Sequence, residues 1–156
     1  MRILILGASN RQPVWVYKAY QEYAKRFKAG CILEFQEIPL AKRSSAAQNR
    51  KSSEKEGQRM LRAVPDSAHV VALEQDGQPW STYELKGRLE VWMQLGQPLC
   101  FLVGGPEGLP KACLGRAKER WSLSNLTLPH GLARVVLTEA LYRAWSILQY
   151  HPYHRP

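Results

Sequence analysis

The sequence predicts an α/β domain with a mainly parallel sheet flanked by helices, and three observations carry that reading. Short, wholly apolar runs recur at residues 3–6, 70–73 and 100–103, as strands buried on both faces do. Stretches with helical spacing separate them, so strand and helix alternate along the chain. The run at 100–103 stops abruptly in Gly104-Gly105-Pro106-Glu107-Gly108, and Pro110 is placed to open a helix. A strand that ends in a glycine loop and enters a helix is where α/β proteins hold ligands. A plain turn uses the same residues, so the loop alone leaves both readings open.

The first strand, residues 3–6, ends at Gly7. The turn that follows lacks the GxGxxG spacing of a dinucleotide site. Pro13 can open a helix, in which Val16, Tyr20, Tyr23 and Phe27 recur at helical spacing until Gly30 closes it. Residues 31–38 read as a second strand, ended by Pro39.

Residues 41–62 are the most basic part of the chain. Lys42, Arg43, Arg50, Lys51, Lys55, Arg59 and Arg62 face only Glu54 and Glu56, more than half of the net charge of +9. Residues 44–47 read as loop. Ser53 stands three before Glu56, a capping-box spacing that predicts a helix start there. This segment is either a solvated face or an arm that meets phosphates and orders on contact.

Residues 69–73 are the third strand, and Asp76-Gly77 is a turn signal. A second capping box, Ser81 to Glu84, opens a helix with Leu85, Leu89, Trp92 and Met93 on one stripe and Gly96 at its end. After the glycine loop, residues 110–120 read as a helix weakened by Gly115. Residues 121–128 alternate apolar and polar as a last strand running into a loop at Pro129-His130-Gly131. The strongest helix is 132–148. Leu132, Val135, Val136, Ala140, Leu141, Ala144, Trp145 and Leu148, widened by Leu137 and Ile147, make an apolar face wider than one small sheet covers, which calls for a dimer interface. Glu139 and Arg143 form an i,i+4 pair in the favourable order. The tail, 150–156, is aromatic, basic and proline-containing; it is either frayed or functional.

Composition bounds the function. The 156 residues suit one domain, 1–156, and 45% hydrophobic and 10% aromatic content exclude a disordered chain. A net charge of +9 and a pI near 9.7 point to a polyanionic partner, most simply nucleic acid. Cys31, Cys100 and Cys113 lack CxxC spacing and read as free thiols in a reducing cytoplasm. No run is long enough for a membrane span. Walker A, HExxH and GxSxG patterns are absent, and His151 with His154 lack the third ligand that zinc needs. What remains is a ligand held largely by backbone at strand ends: Leu73, the glycine loop, and Leu123, Ser124, Asn125, Leu126, Thr127 and Leu128. Such a pocket suits a flat adenine.

The whole sequence resembles the small SPOUT-class RNA methyltransferases of the RlmH type, which methylate N3 of a pseudouridine in bacterial 23S rRNA. The resemblance rests on Glu37-Ile38-Pro39, Glu54-Lys55-Glu56-Gly57, the glycine loop, Trp121-Ser122-Leu123-Ser124, Leu126-Thr127-Leu128-Pro129-His130, Leu141-Tyr142-Arg143-Ala144-Trp145 and His151-Pro152-Tyr153-His154-Arg155. It is loosest at residues 7–12. It implies a deep C-terminal trefoil knot and S-adenosyl-L-methionine bound there, in contact with Leu73, Gly104 and Leu123 through Leu128, with Gly105 and Gly108 in the same loop. It implies a cytoplasmic homodimer acting on ribosomes, with each site completed by the partner's C-terminal tail and no metal or membrane involved. The residues suited to the acceptor are His130, Glu139, Arg143, Tyr153, His154 and Arg155. His130 reads equally as a structural histidine after Pro129. A tRNA target, or a non-catalytic ribosome-assembly role in RNA binding, is the rival reading.

Overall fold

The computed structural model describes residues 1–156. Five strands and five helices alternate: β1 (Arg2–Ala8), α1 (Val14–Ala24), β2 (Ile32–Ile38), α2 (Ala46–Ala63), β3 (His69–Pro79), α3 (Thr82–Gln94), β4 (Leu99–Val103), α4 (Lys111–Arg116), β5 (Glu119–Ser122) and α5 (His130–Leu148). The sheet is wholly parallel, in the order β2-β1-β4-β3-β5. The most apolar runs therefore take the middle. Every residue of β4 is buried, as are Val70, Val71 and Ala72 of β3 and Ile3 to Leu6 of β1. Burial of each large aliphatic side chain contributes about 1.5–3 kcal/mol. One core cluster, with Phe101, Leu89, Trp92, Leu137 and Trp145, lies under α1, α3 and α5; the other, with Leu102, Met60 and Cys113, lies under α2 and α4.

Register sets the functional end of the sheet. Gly7 of β1, Val103 of β4 and Leu73 of β3 are direct neighbours, and Leu73 also pairs with Trp121 of β5. The loops after β1, β4, β3 and β5 thus emerge side by side at the carboxyl edge, where open α/β sheets bind ligands.

Several sequence expectations shift. α2 begins near residue 46, not 53, and residues 46–47 are already helical. Ser45 is its cap, accepting from the Gln48 amide at 3.2 Å. The Ser53 spacing instead falls inside the helix, where Glu56 is buried against Arg43. Asp76-Gly77 is not a free turn. β3 runs through it with a register shift between Leu73 and Gln78, and both of those residues pair with Trp121. Gly77 is required there because a Cβ would lie 2.7 Å from the Trp121 amide nitrogen. The last strand covers Glu119–Ser122, so residues 123–128 are loop, and α4 ends at Arg116. α1 stops at Ala24, with Ala29 and Gly30 both at positive φ before β2.

α5 buries only part of the broad apolar face read from the sequence, Leu137, Leu141, Ala144 and Trp145, and adds Arg134, Thr138, Tyr142 and Ser146 to it. Leu132 is exposed and Val135, Val136 and Ala140 are only half-buried. The helix carries apolar residues on more than the face that the sheet covers, so the sheet contact went to the side with larger side chains.

The position of the α2 cap is testable. Ser45→Ala is expected to lower stability in urea unfolding by about 1 kcal/mol, whereas Ser53→Ala changes it by less than about 0.5 kcal/mol. The reverse order would restore the start at residue 53.

Candidate active site

The glycine loop folds tightly on itself. The Gly108 amide donates to the Gly105 carbonyl at 2.9 Å, and Gly108 has φ +78°, which favours glycine. Gly104 packs so closely that a Cβ would lie 2.5 Å from the Gly108 carbonyl carbon. An external clamp completes the loop. Arg43 donates from Nε to Glu107 Oε1 at 3.0 Å and from Nη2 to Glu107 Oε2 at 2.7 Å. The same Nη2 reaches the buried Glu56 of α2 at 2.8 Å. Arg43 hydrogen bonds hold the Glu107 carboxyl below the usual carboxylate range, so the clamp is charged at neutral pH.

Beside this loop lies an open cavity of about 190 Å³. Leu73, Gly104 and Gly108 line it, together with Leu123, Ser124, Leu126, Thr127 and Leu128. Sequence reasoning placed all of these together. Gly105 and Asn125 do not line it: Gly105 sits under Leu40 and Arg43 instead. Glu74, Gln75, Ser122 and Ala133 line it too and were not singled out from the sequence. Residues 123–128 make no backbone–backbone hydrogen bond. Their one backbone donor already used by the protein is the Leu126 amide, at 2.9 Å from Ser124 Oγ. Several N–H and C=O groups at the cavity are therefore free to meet the polar edge of a ligand. The lining has no Lys or Arg, and its one carboxylate, Glu74, pairs with Arg120 at 3.6 Å from outside the lining. That composition disfavours a phosphate and suits a flat ligand bearing positive charge.

A second cluster lies along α5 and the tail. Glu139 Oε1 accepts from Arg143 Nε at 3.0 Å and from the Tyr153 hydroxyl at 3.0 Å. Arg143 Nη1 donates to His154 Nδ1 at 3.1 Å, and its guanidinium lies 4.8 Å from the centre of the Tyr153 ring. With Nδ1 accepting, His154 carries its proton on Nε2, which is buried without a partner. Burial and hydrogen bonds to Tyr23 and Glu139 push the Tyr153 phenol well above its ordinary value, which leaves it a donor rather than a base. Arg155 is exposed. The tail is thus ordered, not frayed. Yet its anchor, Arg143, lies ten residues beyond the cavity-lining Ala133, about 15 Å along the helix axis. Within one chain the tail residues and the cavity do not meet.

His130 stands apart from that cluster, at the first turn of α5. Next to it lies the fully buried Arg134, which binds Glu37 at 3.1 Å, also contacts Ser9, and stacks 4.6 Å from Phe35. Gly7 makes room for it, since a Cβ there would lie 2.9 Å from Arg134 Nη2. Arg134 Nη2 lies 3.5 Å from His130 Nε2. Burial, then the Arg134 cation, pushes the His130 imidazole down to about 4. His130 is therefore neutral at physiological pH, with Nε2 turned to a donor. Sequence reasoning missed Arg134. Its signal was a charged residue in phase with Leu137 and Leu141, three and seven positions on, on the inward face.

The cysteines are not nucleophiles. Burial pushes the Cys31 and Cys113 thiols up to about 11 and the Cys100 thiol to about 12. No group of three or more His, Cys, Asp or Glu could hold a metal ion, and no helix is long and apolar enough to cross a membrane.

The family model described as predicted SPOUT methyltransferase matches residues 1–154. The chain belongs to the SPOUT methyltransferase family, in its RlmH type. It is 52% identical over 155 residues to the ribosomal RNA large subunit methyltransferase H of Thioalkalivibrio sulfidiphilus, covering 99% of each chain. The proteins of the same name from Alkalilimnicola ehrlichii and Hahella chejuensis are 50% and 48% identical, each over 99% of both chains. A solved structure of a probable methylase family protein from Haemophilus influenzae Rd KW20 aligns with a TM-score of 0.53 at 13% identity, over 99% of this chain and 70% of that one. That likeness concerns the fold alone.

The environment of His130 has a pH signature. Its folded-state value is lowered, so between about 6.5 and about 4 the unfolded chain binds a proton that the folded chain does not, and stability falls as pH drops through that window. The imidazole resonances should titrate with a midpoint near 4, and His130→Asn should lose less stability than the parent between about pH 7 and about pH 5. A midpoint near 6.5 would remove the coupling to Arg134.

Proposed function

We propose that this protein transfers a methyl group from S-adenosyl-L-methionine to N3 of a pseudouridine in 23S rRNA on assembled ribosomes, working as a homodimer with the C-terminal trefoil knot of its family. The observation that carries the reading is the cavity at the glycine loop. It offers free backbone groups for an adenine edge, apolar side chains for its faces, and no cation to repel a sulfonium. The names and near full-length identity of the relatives support the ribosomal target. Leu73, Gly104, Gly108 and the 123–128 loop would hold the cofactor, with Glu74 on its positive side. When bound, the cofactor supplies an electrophilic methyl that needs no metal.

The protein must then place N3 in line with that methyl and deal with its proton. An imide nitrogen has to lose the proton to offer a lone pair, and the anion must be stabilised. His130, held neutral, is suited to hydrogen-bond the base. Arg143 and Arg155 are suited to the anionic oxygen or a phosphate, the His154 Nε2–H to a carbonyl, and Tyr153 to stacking. Arg143 and the tail residues Tyr153, His154 and Arg155 lie too far along α5 to serve the cavity of their own chain, which supports a site shared across a dimer. The half-buried apolar residues of α5, with Leu132 and Trp15 exposed nearby, are the surface that a second copy would cover.

Methyl transfer from radiolabelled cofactor tests the reaction. Label is expected in 23S rRNA, at a pseudouridine, when 70S ribosomes or 50S subunits from cells lacking the protein are supplied. Label in tRNA would move the target; cofactor binding without label would favour the assembly-factor reading; no binding would end the enzyme reading.

Complementation tests the shared site. A chain lacking residues 153–156 should bind cofactor nearly as the parent does, and Gly104→Val should not bind it. Each alone should be at least about a hundredfold slower. Mixed and refolded together, they should recover up to about a quarter of parental turnover through heterodimers with one intact site. No recovery, with heterodimers present, would place the tail in its own chain's site.

A further inference from the structure

α2 carries a charge pattern that folding alone does not favour. Lys51, Lys55, Arg59 and Arg62 follow one another at spacings of four, four and three, so they form a single stripe about 16 Å long. Like charges at i,i+4 destabilise a helix by a few tenths of a kcal/mol per pair. On the other helices several surface cations are paired: Lys25 and Arg26 with Glu22, Lys86 with Glu90, Arg88 with Glu119, Arg143 with Glu139. None of the four stripe cations has a salt bridge. Of the nearby carboxylates, Glu56 and Glu107 are both taken by Arg43, and Glu54, which shares the groove lining, forms no salt bridge with the stripe.

The stripe forms one wall of an open groove of about 1340 Å³. Glu107, Leu109 and Lys111 form the other wall. The groove is open and larger than a small-molecule site. It also has a fixed relation to the candidate active site. Gly104 and Gly108 line the cavity, while Glu107 and Leu109 of the same loop line the groove. Arg43 ties that loop to Glu56 of α2, so groove and cavity are held as neighbours across a few residues.

We infer that the groove between α2 and the 107–112 segment is the track for the phosphate backbone of the substrate RNA, delivering one nucleotide past the glycine loop to the cavity. The inference rests on the RNA-methylation reading and adds to it the surface that grips the RNA. A row of cations outside any salt bridge, facing a lining in which Lys and Arg outnumber the carboxylates Glu54 and Glu107, is what sequence-independent phosphate binding requires, and it makes binding steeply salt-dependent.

Lys55→Gln/Arg59→Gln tests it, with Lys25→Gln/Lys28→Gln on the exposed end of the α1 region as a control of equal charge change. Methyl transfer to 70S and 50S particles would be measured from about 50 to about 200 mM salt. The groove variant should lose at least about tenfold in kcat/KM, and its log–log salt slope should be shallower by about 1.4–2. Calorimetric affinity for S-adenosyl-L-methionine should not change, and thermal unfolding should show both variants folded at the assay temperature, although Arg59→Gln gives up the 3.1 Å hydrogen bond to the Pro39 carbonyl. Equal losses in both variants, or an unchanged slope, would overturn the track. A photo-reactive residue at Gln58, inside the groove, should cross-link to 23S rRNA in ribosome complexes; cross-linking only to a ribosomal protein would assign the groove to an acidic protein surface instead. If the parent chain methylates no particle, the methylation reading fails, and the cross-link still decides the groove.

Discussion

Three neighbouring strands leave the sheet at one level, with Gly7, Val103 and Leu73 in direct register. That alignment depends on β4 being buried along its whole length, since only a continuous apolar strand can sit between β1 and β3 with no water on either face. Every part of the candidate site hangs from it. The glycine loop is the direct continuation of β4, the bulged stretch of β3 passes beside it, and the loop after β5 closes the cavity. Backbone groups left unpaired at such an edge are costly to bury and available to a ligand, so the position that ends the sheet also supplies the contacts.

Two arginines make this arrangement rigid by opposite routes. Arg134 is drawn fully inside, where an unpaired charge would be prohibitive, and it is held by Glu37, Ser9 and the face of Phe35. It joins the ends of β1 and β2 to the first turn of α5 and adds its charge to the burial that keeps His130 neutral. Arg43 stays near the surface and bridges Glu107 to Glu56. By absorbing both carboxylates it fixes the glycine loop against α2 and leaves the α2 cations uncompensated. The same clamp therefore shapes the cavity and sets the charge of the groove beside it.

Electrostatic roles divide along the molecule. The cavity is free of cations, the groove is crowded with unpaired ones, and the tail holds Arg143 in a compact set with Glu139, Tyr153 and His154. A positively charged cofactor and a polyanionic substrate call for such opposite surroundings. The length of α5 keeps the tail set away from the cavity of its own chain.

The periodicity of apolar residues by itself determined the α/β class and the order of the five strands, because parallel strands buried on both faces and a glycine break leave clear local patterns at residues 3–6, 70–73 and 100–108. Most of the cavity lining was legible for the same reason: it sits where those runs end. Tertiary structure alone decided what depends on partners distant in sequence. Ser53 and Glu56 had capping-box spacing, but Glu56 was claimed by Arg43, and Ser45 became the cap. Asp76-Gly77 looked like a turn, but pairing with Trp121 carried β3 through it. On α5 only part of a broad apolar face could meet the sheet, and the pull of Glu37 and Phe35 on Arg134 selected that part. Local spacing encodes which element forms; which face it buries, and which charge is left unpaired, is settled by contacts across the sheet that no window of sequence contains.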